Sequence, residues 1–131
     1  MPILKNFAVP SSSEGLQVSA EWPLFIAFLA SKDPATKKPW CPDVRAALPT
    51  LEASFKGEKQ PTAAFVEVGQ KPEWKDAKNV YRTKWNVHNV PALVRFEKVG
   101  NAMKEVGRLT EGEILDQERL HELLQGSPNK N

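Results

Sequence analysis

Cysteine is almost missing from this chain: one residue, Cys41, stands among 131. No internal disulfide can form, and one thiol with two distant histidines, His88 and His121, falls short of the closely spaced ligands of a zinc site. Long apolar runs are missing as well. The longest, residues 24–30, is far shorter than the roughly 20 residues a membrane-spanning helix needs. No apolar leader follows the start, so the expected setting is a reducing, cytoplasmic one, with no membrane role. Charge of one sign is not in excess either. Eighteen basic residues face 16 acidic ones, a net +2, which points away from nucleic acid. There is no glycine-rich phosphate loop, no nucleotide fingerprint and no Ser-His-Asp order around a nucleophile elbow.

What is present describes one globular domain over residues 1–131, with 40% hydrophobic and 26% charged side chains. A strand is expected over residues 3–9 and a short helix over 13–20. Leu24-Phe25-Ile26-Ala27-Phe28-Leu29-Ala30 is apolar at every position, the pattern of a strand covered on both faces. After a polar, proline-flanked loop, Val44, Ala47, Leu48, Leu51 and Phe55 recur at helical spacing. Pro42 suits the first turn of that helix, and Pro49 falls in its interior, where a bend is expected. A buried strand follows over 63–68, then a polar helix over 72–85 with Trp74, Ala77, Tyr81 and Trp85 inward. Residues 90–97 and 103–109 read as a hairpin turning at Gly100-Asn101. Thr110 and Glu113 form a capping box for a last helix over 111–125, with Leu120, Leu123 and Leu124 inward. This order predicts an α/β fold, a three-layer α/β/α sandwich around a mixed central sheet.

Cys41 lies in Lys38-Pro39-Trp40-Cys41-Pro42-Asp43-Val44-Arg45, at the expected start of the long helix. Unpaired N–H groups and the positive end of the helix dipole favour a thiolate there. Lys37 and Lys38 push the same way, while Asp43 opposes a nearby anion and stands as an ordinary first-turn acid or as a filter against acidic partners. A Cys-x-x-Cys redox motif needs a second cysteine at position 44, and the chain has Val44. Lys71, Lys75, Lys78 and Arg82 recur at helical spacing, as a solvated face or a grip for an acidic partner or phosphate. His88, three residues before Pro91, is either a surface loop histidine or an aid to proton transfer.

Four motifs in order carry a family resemblance: Phe28-Leu29-Ala30-Ser31-Lys32-Asp33; Trp40-Cys41-Pro42-Asp43; Val68-Gly69-Gln70-Lys71-Pro72-Glu73-Trp74-Lys75-Asp76 with Asn79 and Arg82; and Val90-Pro91-Ala92-Leu93. Together they resemble the Clot-type, fourteen-kilodalton thioredoxin-related proteins, over a little more than half of the chain. The resemblance implies a thioredoxin-like fold, a reactive Cys41 and a cis Pro91 facing it, although X-Pro bonds are cis only about 5% of the time. It also implies disulfide reductase activity on small or selected substrates. With a cis Pro91, the backbone of Val90 is expected to pair with an extended substrate beside Trp40, Pro42 and Asp43. Val44 departs from the family pattern, which ends in a second cysteine.

The expected function is therefore that of a thiol–disulfide oxidoreductase in monothiol mode, with Cys41 catalytic and Trp40, Pro42, Asp43, Val90 and Pro91 contacting substrate. No metal or cofactor is expected. The expected partners are a disulfide-containing peptide or protein or a glutathione adduct, with glutathione or a thioredoxin-system reductant as donor, acting on a monomer. The alternative is a redox-inactive thioredoxin-fold binding module.

Overall fold

The computed structural model describes residues 3–4, 24–55, 62–99 and 102–125. Five strands form one sheet: β1 (Ile3–Leu4), β2 (Leu24–Leu29), β3 (Thr62–Glu67), β4 (Ala92–Val99) and β5 (Ala102–Thr110), in the order β1-β3-β2-β4-β5. β1 and β2 run parallel to β3, whereas β4 is antiparallel to β2 and β5 to β4. The sheet is mixed, with the apolar run at its centre. All six residues of β2 are buried, so both of its faces are covered.

Two layers cover it. α1 (Pro42–Phe55) sends Val44, Ala47, Leu51 and Phe55 into the core, and the Phe55 ring meets Phe25 at 5.2 Å between centroids. On the opposite face, Phe28 meets both Tyr81 and Trp85 at 5.8 Å, and Trp85 meets Phe96 edge-on. These aromatic pairs clamp the central strand from both sides. Pro49 lies within α1. The expected short helix over 13–20, most of the strand over 3–9 and the Gly100-Asn101 turn lie outside the described residues.

Two expected helices are broken by local side-chain bonds. Residues 72–85 form two short helices, α2 (Lys71–Lys75) and α3 (Val80–Thr83), and Ala77 between them is exposed. Asp76 is extended and accepts from the Lys78 N–H, while the Asn79 side chain accepts from the Tyr81 N–H and donates to the carbonyls of Val68 and Glu73. Such side chains compete directly with helical backbone bonds. The last helix divides in the same way. Thr110 and Glu113 cap a 3-10 turn over Glu111–Leu115, and Asp116 then accepts from the N–H groups of Glu118 and Arg119 to open α4 (Gln117–Gln125). The Thr110 N–H holds the Glu113 carboxyl below the usual glutamate range, helped by the Arg119 charge.

Arg95 fastens α4 to the sheet. It sits on β4, only 8% exposed, with its guanidinium over the Phe25 ring at 5.3 Å. One terminal nitrogen donates to the carbonyls of Leu123 and Leu124, each at 2.9 Å, and Nε donates to Glu97. α4 has no basic residue in its last turn, so Arg95 supplies the cation its carbonyl end favours. Removing this side chain strands a carboxylate and two carbonyls. Arg95→Ala should cost about 2–4 kcal/mol in urea unfolding, against less than about 1 kcal/mol for Arg119→Ala in its exposed pairs.

Candidate functional site

From β2 the chain passes through α1 to β3 on one side, and β4 lies on the other, so the sheet order reverses at β2. A crevice opens at such a switch point, outside the carboxyl end of the strand. Cys41 stands there. Its carbonyl accepts from the N–H groups of Val44 and Arg45, both at 3.1 Å, which makes it the residue capping α1. Pro42 takes the first helical position, where its missing N–H costs nothing. The thiol is free and half-exposed, and its S–H donates to the Val90 carbonyl at 3.8 Å.

Val90 precedes Pro91 through a cis peptide bond. Both side chains are buried, and what the segment turns to the thiol is the Val90 carbonyl. The Pro91 carbonyl accepts from the Glu111 N–H at 2.9 Å, which ties the segment to the 3-10 turn. Ala92 then begins β4, in register with Phe28 and Thr110. The end of β2 and the start of β4 thereby bring Cys41 and Val90 together.

A closed loop aims the thiol. The Lys37 N–H donates to the Asp33 carbonyl and the Asp33 N–H to the Lys38 carbonyl, so residues 33–38 fold back and Lys32 bridges Pro39. The Trp40 N–H then reaches the Ser31 carbonyl, and Arg45 donates to the Pro39 carbonyl. The loop after β3 completes the frame. Gly69 donates its N–H to the Ser31 hydroxyl at 2.9 Å, and its carbonyl accepts from the Ser31 N–H and from the Trp40 indole at 2.9 Å. Gln70 adds a bond from its side chain to the Lys32 carbonyl at 2.7 Å. Gly69 has φ +114°, and a Cβ there would fall 2.9 Å from that of Glu73. Only glycine fits that turn.

Trp40 and Cys41 are half-buried, Pro42 and Asp43 exposed, and Val90 and Pro91 buried beside them. The structure thus gathers all six expected site residues around one sulfur. Val44 lies one turn into α1 with no exposed surface. His88 is bonded to the Asn86 side chain at 2.8 Å, whereas the Cys41 thiol is bonded to the Val90 carbonyl. Trp74 is packed, 5% exposed, with the Arg82 guanidinium 4.0 Å from its ring centroid. Among the described residues no cluster of three or more His, Cys, Asp or Glu could hold a metal ion, and no helix is long and apolar enough to cross a membrane. Sequence reasoning missed Ser31 and Gly69 as the fasteners of the frame. Their only local signal is a polar residue ending an apolar run and a glycine ending the next strand.

The family described as "Thioredoxin domain-containing protein 17-like, thioredoxin domain" matches residues 9–125. A thioredoxin domain-containing protein of Schizosaccharomyces pombe is 40% identical over 93 residues, 71% of this chain and 75% of that one. The thioredoxin-like protein Clot of Oryza sativa is 35% identical over 89 residues, 63% of each chain. Human thioredoxin domain-containing protein 17 is 36% identical over 74 residues, 56% of this chain and 59% of its own. This chain therefore spans less than two thirds of the rice and human proteins. Among solved structures, Trichomonas vaginalis thioredoxin aligns with a TM-score of 0.63 over 95% of this chain and 96% of that one, at 19% identity, a likeness of fold alone. With the sheet order and the family match over residues 9–125, the chain belongs to the thioredoxin domain-containing protein 17-like family and has a thioredoxin-like α/β fold.

Proposed function

We propose that this chain is a thiol–disulfide oxidoreductase working in monothiol mode through Cys41. One observation carries the reading: the residue bearing the sole thiol caps α1 through its carbonyl, and its half-exposed sulfur sits in a hydrogen-bonded frame facing the Val90 carbonyl. Membership of a thioredoxin-domain family supports redox chemistry of this general kind. The substrate is a disulfide-containing peptide or protein, or a glutathione adduct. Its extended backbone lies along Val90 and Pro91, and Trp40, Pro42 and Asp43 border it.

In the first step the Cys41 sulfur, as thiolate, attacks one sulfur of the substrate disulfide. A new S–S bond forms to Cys41, the old one breaks, and the second sulfur leaves as a thiolate that takes up a proton from water. With Val44 in the core and no second cysteine, nothing in the chain can reverse that bond from within. An external thiol completes the cycle. For a glutathione adduct, the thiolate of a reduced glutathione attacks the glutathione sulfur held on Cys41. Oxidised glutathione leaves and the Cys41 thiolate is regenerated, so one adduct and one glutathione become one free thiol and one oxidised glutathione. A thioredoxin-system reductant is the other candidate donor.

Steady-state reduction of a peptide–glutathione mixed disulfide tests this, with glutathione reductase and NADPH reporting the oxidised glutathione formed. The wild-type chain should turn over, and Cys41→Ser should fall to the uncatalysed rate. Absence of turnover with every thiol, with substrate capture intact in Cys41→Ser, would assign the fold to binding alone. The frame makes a second prediction. Ser31→Ala removes the acceptor of the Gly69 N–H and loosens the carbonyl that holds the Trp40 indole. It should lower turnover by up to about tenfold while Cys41 stays open to alkylation. Unchanged turnover would show that the frame does not position the thiol.

A further inference from the structure

The two segments that meet beside Cys41 hold half of the chain's basic residues and only a quarter of its acidic ones. Residues 31–45 and 69–84 hold nine basic and four acidic side chains, a net +5 in a chain whose total is +2. The remaining residues hold nine basic and 12 acidic side chains, a net −3. The positive charge is therefore concentrated in two segments that are bonded to each other next to the thiol.

The lysines among them are also unspent. Among the described residues, the ion pairs join arginines to acids, and none includes Lys32, Lys37, Lys38, Lys71, Lys75 or Lys78. The carboxylates beside these lysines are turned to backbone instead. Asp33 accepts from the Ala35 N–H, Glu73 from the Gln70 N–H and Asp76 from the Lys78 N–H. All six lysines are exposed. The bonds from Gln70 to Lys32 and from Trp40 to Gly69 place the two lysine-bearing segments side by side. On the Pro91 side of the thiol the charge is opposite, since Glu111 follows directly on the strand and its side chain accepts from Asn89.

We infer that this lysine rim selects the substrate of Cys41, and that the substrate is an acidic polypeptide segment bearing the disulfide. The inference rests on the redox reading given above. Exposed, separately placed lysines offer many weak, salt-sensitive attractions rather than the convergent donors that hold a single phosphate. Such a rim raises the encounter rate of an acidic chain and disfavours a basic one. Asp43 is an exposed acid beside the thiol, outnumbered by the basic residues of the two segments.

Three peptides test this, identical except for aspartate, serine or lysine on both sides of a cysteine held as a disulfide with a chromogenic aryl thiol. The readout is the second-order rate of aryl thiolate release by the full chain. The acidic peptide should react about tenfold faster than the basic one at low salt, with the gap narrowing at about 150 mM salt. Lys38→Glu with Lys71→Glu should abolish or invert the preference. Equal rates, or a faster basic peptide, would overturn the inference while leaving the thiol reading intact. If no peptide reacts, the thiol reading fails, and fluorescence anisotropy of the same peptides with Cys41→Ser decides the charge claim. Tighter binding of the acidic peptide there upholds the rim, and equal binding overturns it. A short oligonucleotide that displaces the acidic peptide as well as an acidic competitor does would also overturn it, in favour of a surface for any polyanion.

Discussion

The carbonyl of Gly69 accepts two hydrogen bonds, from the Ser31 N–H and the Trp40 indole, and the geometry around the thiol depends on that shared acceptor. Ser31 closes the pair by receiving the Gly69 N–H. β2 and β3 end side by side in parallel register, so the two loops leave the sheet together. The bonds then hold them together beyond it. Trp40 is fixed between those loops, and Cys41, the next residue, has little freedom but to cap α1 and face Val90. A positive-φ glycine is required because the turn at residue 69 presses against Glu73.

The thiol's surroundings follow from a division of labour along one strand pair. β2 brings the chain to its carboxyl edge, and β4 starts at the same edge with the Val90-Pro91 segment. Neither residue exposes a side chain, and the Trp40 ring beside the sulfur is half-buried. The exposed charged side chains lie in the two loops instead. That is where the lysines of the two loops stand, and where the chain concentrates its positive charge.

Legibility in the sequence follows how local each cause is. β2 is readable because both faces of a central strand are buried and every residue must be apolar. α1 is readable because one face is buried and the spacing survives Pro49. The broken helices were not readable from periodicity, because Asp76, Asn79 and Asp116 end or start turns through side-chain bonds that leave the apolar spacing intact. Arg95 looks like a surface charge within a strand, yet it is buried because its partners are carbonyls on α4, 28 and 29 residues away. The motifs around Cys41 and Pro91 name six residues that the fold brings to one place, with the Cys41 sulfur against the Val90 carbonyl. Ser31 and Gly69, joined across 38 residues, have no periodic signature at all.

The central claim is that the fold presents the Cys41 sulfur to an incoming disulfide. Intact-mass analysis after brief exposure to oxidised glutathione, on the native chain and on the chain in urea, tests it most directly because no other cysteine can contribute. The account predicts a single glutathione adduct forming at least as fast on the native chain as on the unfolded one. An adduct that forms only in urea would contradict it, since the fold would then be shielding the thiol rather than presenting it.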